Sequence, residues 1–285
     1  MPFGAHMSIA GGVDRALLRG QKIGCETIQI FTKSNRQWTA TPLSVDEIER
    51  WYQNLESAAI APVVAHTAYL INLASSDRVV AQRSLEALVI EMQRCETLSI
   101  PYLVLHPGSH TGAGEEAGLR RIAEALDGAY ERLPEARVSV LLETTAGQGT
   151  SLGHRFEHLA RIIQLAAVGE FLGVCFDTCH ALAAGYDIRT PQGYAATFVQ
   201  FERSIGLERL RVFHINDSRG ELGSRVDRHA HIGRGHVGLE GLGLLVNDPR
   251  FREHPMLLET PKSADMHEDV ENLATLYSLL ANSQP

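Results

Sequence analysis

Short apolar runs alternate with stretches of helical periodicity along almost the whole chain. Eight runs can be distinguished, at residues 3–6, 26–32, 62–66, 101–106, 137–143, 171–177, 210–215 and 255–259. Their apolar residues follow one another instead of alternating with polar ones. This pattern is typical of strands that are buried on both faces of a parallel sheet.

Amphipathic helices are predicted between these strands. Ser44 and Glu47 have the spacing of a capping box, which predicts that a helix begins there. Two further stretches, 115–133 and 268–281, repeat apolar residues at helical spacing. Their predicted buried faces consist of Leu119, Ile122, Leu126, Tyr130 and Leu133 in the first stretch, and of Val270, Leu273, Leu276 and Leu280 in the second.

Eight strands that alternate with helices over 285 residues predict a (β/α)8 barrel, which we expect to form one domain over residues 1–285. A doubly wound open sheet is the alternative. It would have room for a dinucleotide, but no G-x-G-x-x-G motif follows the first strand. No apolar run approaches the roughly 20 residues that span a bilayer, and the N-terminus does not resemble a secretory signal. We therefore expect a cytoplasmic protein that does not bind membranes.

Histidine, aspartate and glutamate residues stand at or just after the ends of most predicted strands. In a barrel the C-terminal ends of all strands meet on one face, so these side chains are expected to converge. The candidates are His66, His106, Glu143, Asp177, His180, His214, Asp227, His229 and Glu259. His6 is expected to support a ligand, and ordinary hydrogen bonds are expected for His110, His154, His158, His231, His236, His254 and His267.

A divalent metal is the best explanation for this set of residues. Several buried carboxylates without a counter-charge would be very costly. Mixed imidazole and carboxylate ligands favour zinc, with manganese or iron as alternatives. Nine donors would suit roughly three sites of three or four ligands each. One carboxylate could bridge two cations about 3.5–4 Å apart.

The overall charge restricts the choice of partner. The formal net charge is −8, whereas a protein that binds nucleic acid is usually basic. Three bound divalent cations would bring this charge close to zero. The four cysteines form no C-x-x-C pair and are predicted to be buried free thiols. A role near a metal stays open for Cys179, because it lies between Asp177 and His180.

Several long sequence blocks resemble the endonuclease IV family of zinc-dependent abasic-site nucleases. The resemblance runs from GAHMSIAGG near the N-terminus to LLET near the C-terminus. The most specific blocks are FTKSNRQW (31–38), HTAYLINL (66–73), EMQRCE (91–96), HPGSH (106–110), AGQG (146–149), GVCFDTCHALAAGYD (173–187) and GSRVDRH (223–229).

The resemblance implies three zinc ions and gives each of them a ligand set. One zinc would be held by His66, His106 and Glu143. A second would share Glu143 and add Asp177, His214 and Glu259. A third would be held by His180, Asp227 and His229. Glu143, Asp177 and Glu259 would then be the carboxylates nearest the reaction, and hydroxide activated between the first two ions would attack the phosphorus.

The resemblance also implies a substrate, namely double-stranded DNA that contains abasic sites. Arg36, Gln37, Tyr69 and Leu70 match loops that enter the minor groove and hold the abasic nucleotide out of the helix. Cleavage 5′ of the site would leave a 3′-hydroxyl and a 5′ deoxyribose phosphate. A monomer that reaches the nucleoid through its DNA is expected. Two positions depart from the family pattern: Thr144 replaces a frequent asparagine, and Arg234 replaces a familiar acidic residue.

Two other functions remain open from the sequence. Metal-dependent sugar isomerases on a similar barrel also place histidines and carboxylates at strand ends, and a fold does not fix a function. The ligands for three metals and the two groove-probing loops favour the nuclease over the isomerase. A non-catalytic binder of damaged DNA, or a zinc reservoir, would bind metal without cutting a strand.

Overall fold

The computed structural model describes residues 1–281. Eight parallel strands form a closed barrel in the order β1-β10-β7-β6-β5-β4-β3-β2. Their bounds are Phe3–Met7 (β1), Thr27–Phe31 (β2), Val63–His66 (β3), Tyr102–Leu105 (β4), Ser139–Glu143 (β5), Leu172–Asp177 (β6), Leu210–His214 (β7) and Met256–Leu258 (β10). The predicted (β/α)8 barrel is confirmed, and the strand bounds differ from the predicted runs by at most two residues at either end.

Helices surround the barrel, one or two of them after each strand. They are Asp14–Lys22 (α1), Val45–Ala58 (α2), Arg78–Thr97 (α3), Glu115–Glu131 (α4), Phe156–Leu165 (α5), Thr178–Ala184 (α6), Pro191–Ser204 (α7), Gly238–Val246 (α8) and His267–Leu279 (α9), with short 3₁₀ turns at Gly169–Phe171, Leu207–Arg209 and Pro249–Phe251. A two-strand antiparallel hairpin, which the sequence did not predict, joins Asp217–Ser218 (β8) to His229–Ala230 (β9). No helix in residues 1–281 has the length and hydropathy of a membrane span.

Local capping explains where two of these helices begin. At α2 the Ser44 hydroxyl accepts from the Glu47 amide at 3.3 Å, while the Glu47 carboxylate accepts from the Ser44 amide at 2.8 Å. At α6 the Asp177 carboxylate accepts from the His180 amide at 2.7 Å. Asp177 therefore ends β6 and caps the next helix, so its backbone position is fixed from both sides.

The core has two layers. The larger layer lies between the strands and the helices and contains most of the large apolar side chains. The smaller layer fills the inside of the barrel. It consists of Val64, Val104, Leu141, Cys175, Val212 and Leu257, all fully buried. Because the inside of the barrel is filled with side chains, a ligand can enter only at the rim.

The predicted buried face of α9 was partly wrong. Val270 is exposed, whereas Asp269 and Asn272 are buried. Asp269 pairs with Lys262, and the Asn272 side-chain oxygen accepts from the Ile232 amide at 2.9 Å. Polar residues with partners elsewhere in the fold therefore take positions that helical periodicity assigns to apolar residues.

Candidate metal centre

The nine candidate ligands converge at the C-terminal ends of the barrel strands. His66, Glu143, Asp177 and His214 are the last residues of β3, β5, β6 and β7. His106 and Glu259 directly follow their strands, and His180 lies in the first turn of α6. Asp227 and His229 come from the segment that forms the β8–β9 hairpin. A cleft of about 420 Å³ opens above them, lined by His66, Tyr69, His106, His180, Arg219, Asp227, Arg228, His229, Glu259 and Pro261.

The donor atoms fall into three groups, each compact enough to hold one metal ion. Within each group the ligand atoms lie within 4.8 Å of one another. The groups are His66, His106 and Glu143; Glu143, Asp177, His214 and Glu259; and His180, Asp227 and His229. These are the three ligand sets that the resemblance implied.

Glu143 belongs to two of the groups because its two oxygens point in different directions. Oε2 lies 3.2 Å from His66 Nε2 and 2.9 Å from His106 Nε2. Oε1 lies 2.9 Å from His214 Nδ1. The side chain is fully buried. A carboxylate in this position can bridge two cations.

Four of the imidazoles are held in one orientation by a hydrogen bond from one ring nitrogen. His66, His180 and His229 donate from Nδ1 to the carbonyl oxygens of Thr67, Thr144 and Glu259 at 2.8, 2.9 and 3.1 Å. His214 donates from Nε2 to Gln29 Oε1 at 2.7 Å. Each opposite nitrogen faces a candidate carboxylate, and once deprotonated it would offer its lone pair to a metal, which is the arrangement that metal-binding histidines use.

The third group leaves two buried nitrogens without a hydrogen-bond partner. These atoms are His180 Nε2 and His229 Nε2. They lie 3.1 and 3.9 Å from Asp227 Oδ1, without the alignment of a hydrogen bond. A lone pair and a carboxylate oxygen repel each other unless a cation lies between them. The residues present therefore fit a divalent metal ion.

Gln29 and Asn216 orient two of the candidate carboxylate ligands, and sequence analysis missed both. Gln29 donates to Glu259 Oε1 at 2.6 Å, and Asn216 donates to Asp177 Oδ2 at 2.8 Å. Both residues are fully buried. A signal for Gln29 was present in the sequence, because it is a polar residue in the middle of an otherwise apolar strand. His6 contacts Gln29 at 3.0 Å and lies 3.7 Å from Glu259, so it stands behind the ligands.

The structure shows what the two departures from the family pattern, Thr144 and Arg234, contact. The Thr144 hydroxyl accepts from the Asp177 amide at 2.9 Å, and the Thr144 carbonyl accepts from His180. Thr144 therefore forms hydrogen bonds with two of the candidate ligand residues, Asp177 and His180. Arg234 is exposed and approaches Glu271 at 3.8 Å, so this change adjusts surface charge without contacting a candidate ligand.

Protons and metal ions must compete for these imidazoles. Burial disfavours a charged imidazole, yet Glu143 beside His106, and Asp177 and Asp227 beside His180, outweigh burial and raise the pKa of both histidines above 6.5. A cation would therefore compete with protons that these imidazoles hold more tightly than an ordinary histidine does, so metal affinity should rise with pH. We expect zinc titrated into chelated protein to give a calorimetric enthalpy that varies with the ionisation enthalpy of the buffer. Equal enthalpies in all buffers would contradict this competition.

Comparisons with known proteins agree on the family of this chain. Residues 17–278 match the family model described as xylose isomerase-like TIM barrel. A protein named probable endonuclease 4 from Chloroflexus aurantiacus is 53% identical over 282 residues, covering 99% of both chains. One of the same name from Geobacter sulfurreducens is 51% identical over 97% of this chain and 94% of its own.

A solved structure also superimposes on nearly the whole chain. The crystal structure of endonuclease IV from Thermus thermophilus has a TM-score of 0.87 at 37% identity, with 98% of each chain covered. The chain belongs to the endonuclease IV family. It is therefore a DNA-repair endonuclease, as the sequence blocks predicted. A D-tagatose 3-epimerase-like protein matches with a TM-score of 0.74 at 18% identity, which shows a shared fold alone.

The four residues that the endonuclease IV resemblance assigned to DNA lie on two loops beside the cleft. Arg36 and Gln37 are exposed on the loop between β2 and α2. Tyr69 is 69% exposed on the loop between β3 and α3, next to the half-buried Leu70. The Tyr69 ring lies 6.0 Å from the His66 ring, so one side chain of this loop approaches a candidate metal ligand.

Arg219 and Arg228 are further candidates for substrate contacts that sequence analysis missed. Both are exposed and line the cleft beside Asp227 and His229. Their guanidinium groups supply local positive charge on the rim of an otherwise acidic protein. Little in the sequence indicated this role, because exposed arginines are common. Arg228 lies in the block GSRVDRH, which drew attention for its candidate metal ligands Asp227 and His229.

A second cluster with metal-ligand chemistry, outside the cleft, is satisfied by its own contacts. Glu115, His154 and His158 bring three donor atoms within 4.8 Å. His158 Nδ1 accepts from the Gly153 amide at 3.3 Å, and its Nε2 lies 3.0 Å from Arg155 Nε and 3.3 Å from Glu115. Arg155 pairs with the same Glu115 oxygen at 3.0 Å. The ordinary hydrogen bonds expected for His154 and His158 account for this cluster.

The four cysteines are free and buried, as predicted. Cys179 lies near Asp177 and His229, so its thiol could reach a metal at this edge of the centre. Burial raises the pKa of the Cys179 thiol to about 12. Its sulfur donates to the Arg228 carbonyl at 3.6 Å. Both observations favour a packed thiol over a thiolate ligand.

Proposed function

We propose that this endonuclease cuts duplex DNA on the 5′ side of abasic sites and leaves a 3′-hydroxyl and a 5′ deoxyribose phosphate. The observation that carries the proposal is the set of oriented imidazoles whose free nitrogens face buried carboxylates in one cleft. That arrangement suits a cluster of cations, and a cluster of cations suits an anionic phosphodiester.

Three zinc ions per chain are proposed, although manganese or iron could occupy one position. His66, His106 and Glu143 would hold the first. Asp177, His214 and Glu259, with Glu143, would hold the second, and His180, Asp227 and His229 the third. Bound zinc supplies two effects here, a lower pKa for bound water and shielding of the phosphate charge.

The protein's own residues would keep this centre rigid during the reaction. Glu143 is fully buried and would hold two groups at a fixed separation through its two oxygens. Gln29 and Asn216 would keep Glu259 and Asp177 from rotating, because each donates to one oxygen of its carboxylate. Ligands held in this way need little reorganisation as charge develops on the phosphate.

Substrate choice would follow from the cost of deforming DNA. Turning a nucleotide out of the helix costs a few kcal/mol, and least where no base is stacked or paired. Tyr69 and Leu70 would fill the space that the nucleotide leaves, and Arg36 and Gln37 would contact the groove beside it. An exposed aromatic ring next to the metal ligands supports this role for Tyr69.

Tyr69→Ala should weaken binding to an abasic duplex by about tenfold, because an aromatic ring stacked in DNA contributes roughly 1–3 kcal/mol. Zinc content should stay unchanged, since Tyr69 is not a candidate ligand. Fluorescence anisotropy with labelled abasic and intact duplexes, together with elemental analysis, would measure both. Tyr52→Ala, which removes a partly exposed tyrosine from α2, is the matched control. Loss of zinc together with affinity would make the role of Tyr69 structural.

The proposed reaction is tested directly by incubating the purified protein with a synthetic duplex that carries one abasic site. A nick on its 5′ side with a 3′-hydroxyl end, together with about three zincs per chain, supports the proposal. A panel of aldoses tested in parallel covers the sugar isomerase. Bound zinc without any strand scission would leave the non-catalytic binder as the better explanation.

A further inference from the structure

The block EMQRCE at residues 91–96 lies on α3, yet it holds no candidate metal ligand. Its side chains instead reach the two loops that carry the proposed DNA contacts. These are the 32–44 loop, which follows β2, and the 67–77 loop, which follows β3. Both loops lie beside the cleft. Pairing of β2 with β3 holds their first residues together up to Phe31 and His66, and beyond these residues side chains link the two loops.

Glu91 connects the two loops through a buried ion pair. Its Oε1 accepts from the Ala68 amide at 3.1 Å and lies 3.1 Å from Lys33 Nζ. Lys33 Nζ also donates to the Gln37 carbonyl at 2.7 Å. Glu91 and Lys33 are both almost fully buried. The carboxylate and the ammonium thus join the backbone next to Tyr69 to the backbone of Gln37.

Arg94, one turn further along α3, holds the 32–44 loop at two points. Its Nε donates to the Thr32 carbonyl at 2.8 Å, and its Nη1 donates to the Thr41 carbonyl at 3.0 Å. Thr32 begins the loop and Thr41 lies near its end, so a single planar guanidinium spans the loop. Glu91 and Arg94 therefore fix the loop from the same helix face.

We propose that Glu91 and Arg94, with Lys33, are positioning residues that set the distance between the two DNA-contacting loops. A buried ion pair contributes little net stability, because removing two charges from water offsets most of their attraction. It does fix one geometry, since either charge left alone would be strongly disfavoured. The inference rests on the proposed function, because that function is what assigns the two loops to DNA.

The test uses Glu91→Gln in the zinc-loaded protein. Glutamine can still accept from the Ala68 amide, but it leaves the Lys33 ammonium without a counter-charge. We expect faster hydrogen exchange in the 32–44 and 67–77 loops. We also expect KM for the abasic duplex to rise by about tenfold, with kcat and zinc content retained. The double variant Glu91→Gln with Lys33→Met should not recover the wild-type KM, because methionine also loses the hydrogen bond from Lys33 to the Gln37 carbonyl.

Asp248→Asn is the matched control. It removes a mostly buried carboxylate that pairs with Arg250 and accepts from Tyr194, ahead of β10 and so away from the cleft. It should leave KM and exchange in both loops unchanged. Should Glu91→Gln fold poorly, Arg94→Lys tests the same inference, because an ammonium cannot span two carbonyls as a guanidinium does.

Two results would overturn the inference. One is unchanged exchange and unchanged KM in Glu91→Gln. The other is a parallel fall in zinc content and kcat, which would indicate a general structural role. Failure of the wild-type protein to cut the abasic duplex would count against the proposed function instead. Hydrogen exchange in the free protein would still decide whether Glu91 holds the loops.

Discussion

Replacing Glu143 by alanine is expected to lower cleavage of an abasic duplex by roughly three orders of magnitude, which corresponds to about 4 kcal/mol of transition-state stabilisation. The reason is its shared position: one oxygen faces His66 and His106, and the other faces His214. Alanine therefore removes a ligand from two groups at once. Elemental analysis should find about two zincs per chain in the variant, because the first group keeps only two ligands whereas the second and third groups keep three each.

Glu115→Ala is the matched control for this variant. Glu115 is also a glutamate beside two histidines, His154 and His158. Its cluster is satisfied by Arg155 and lies outside the cleft, so zinc content and cleavage should match the wild type. A Glu143→Ala protein that folds, retains three zincs and cuts at the wild-type rate would exclude the bridging role of Glu143.

Removal of the metals should abolish cleavage and lower the melting temperature by roughly 10 °C or more. A single site at a free metal concentration a thousand times its dissociation constant stabilises a protein by about 4 kcal/mol. For a chain of this size each kcal/mol shifts the midpoint by about 2–4 °C. Removing the cations also leaves buried carboxylates without a counter-charge, which lowers the stability of the fold further. Three of the four candidate ligand carboxylates have little exposure to solvent.

Differential scanning calorimetry before and after treatment with a chelator would measure this change. Chelator that is already saturated with zinc is the control for non-specific effects. Returning zinc to the treated protein should restore both the melting temperature and the cleavage. An unchanged melting temperature after complete removal of the metal would contradict a structural contribution from the cluster.

Most of the barrel could be predicted because parallel strands that are buried on both faces leave continuous apolar runs. The two-residue strands Asp217–Ser218 and His229–Ala230 could not, because such short pairing depends on contacts made elsewhere in the fold. The prediction that Val270 is buried was wrong for a related reason. Periodicity cannot anticipate that Asp269 finds Lys262 and becomes the buried residue instead.

The candidate ligands could be found from the sequence because strand ends are ordered by the barrel itself. The residues that orient them were harder to find. Gln29 and His214 are far apart in sequence, and only the folded chain brings their side chains to 2.7 Å. The same holds for Glu91 and Lys33, whose pairing depends on how α3 packs against the end of β2. Long-range polar contacts of this kind leave no periodic signal in one sequence.

Three groups of side chains at one rim of the barrel are proposed to hold one cation each, and the proposed chemistry depends on all three. Anomalous diffraction at the zinc absorption edge, from crystals of protein purified without chelator, tests this most directly. Three separate peaks are predicted: one between His66, His106 and Glu143, one beside His214, and one between His180 and His229. Glu143 should contact the first two. A single peak, or none within reach of Glu143, would contradict the proposed metal cluster.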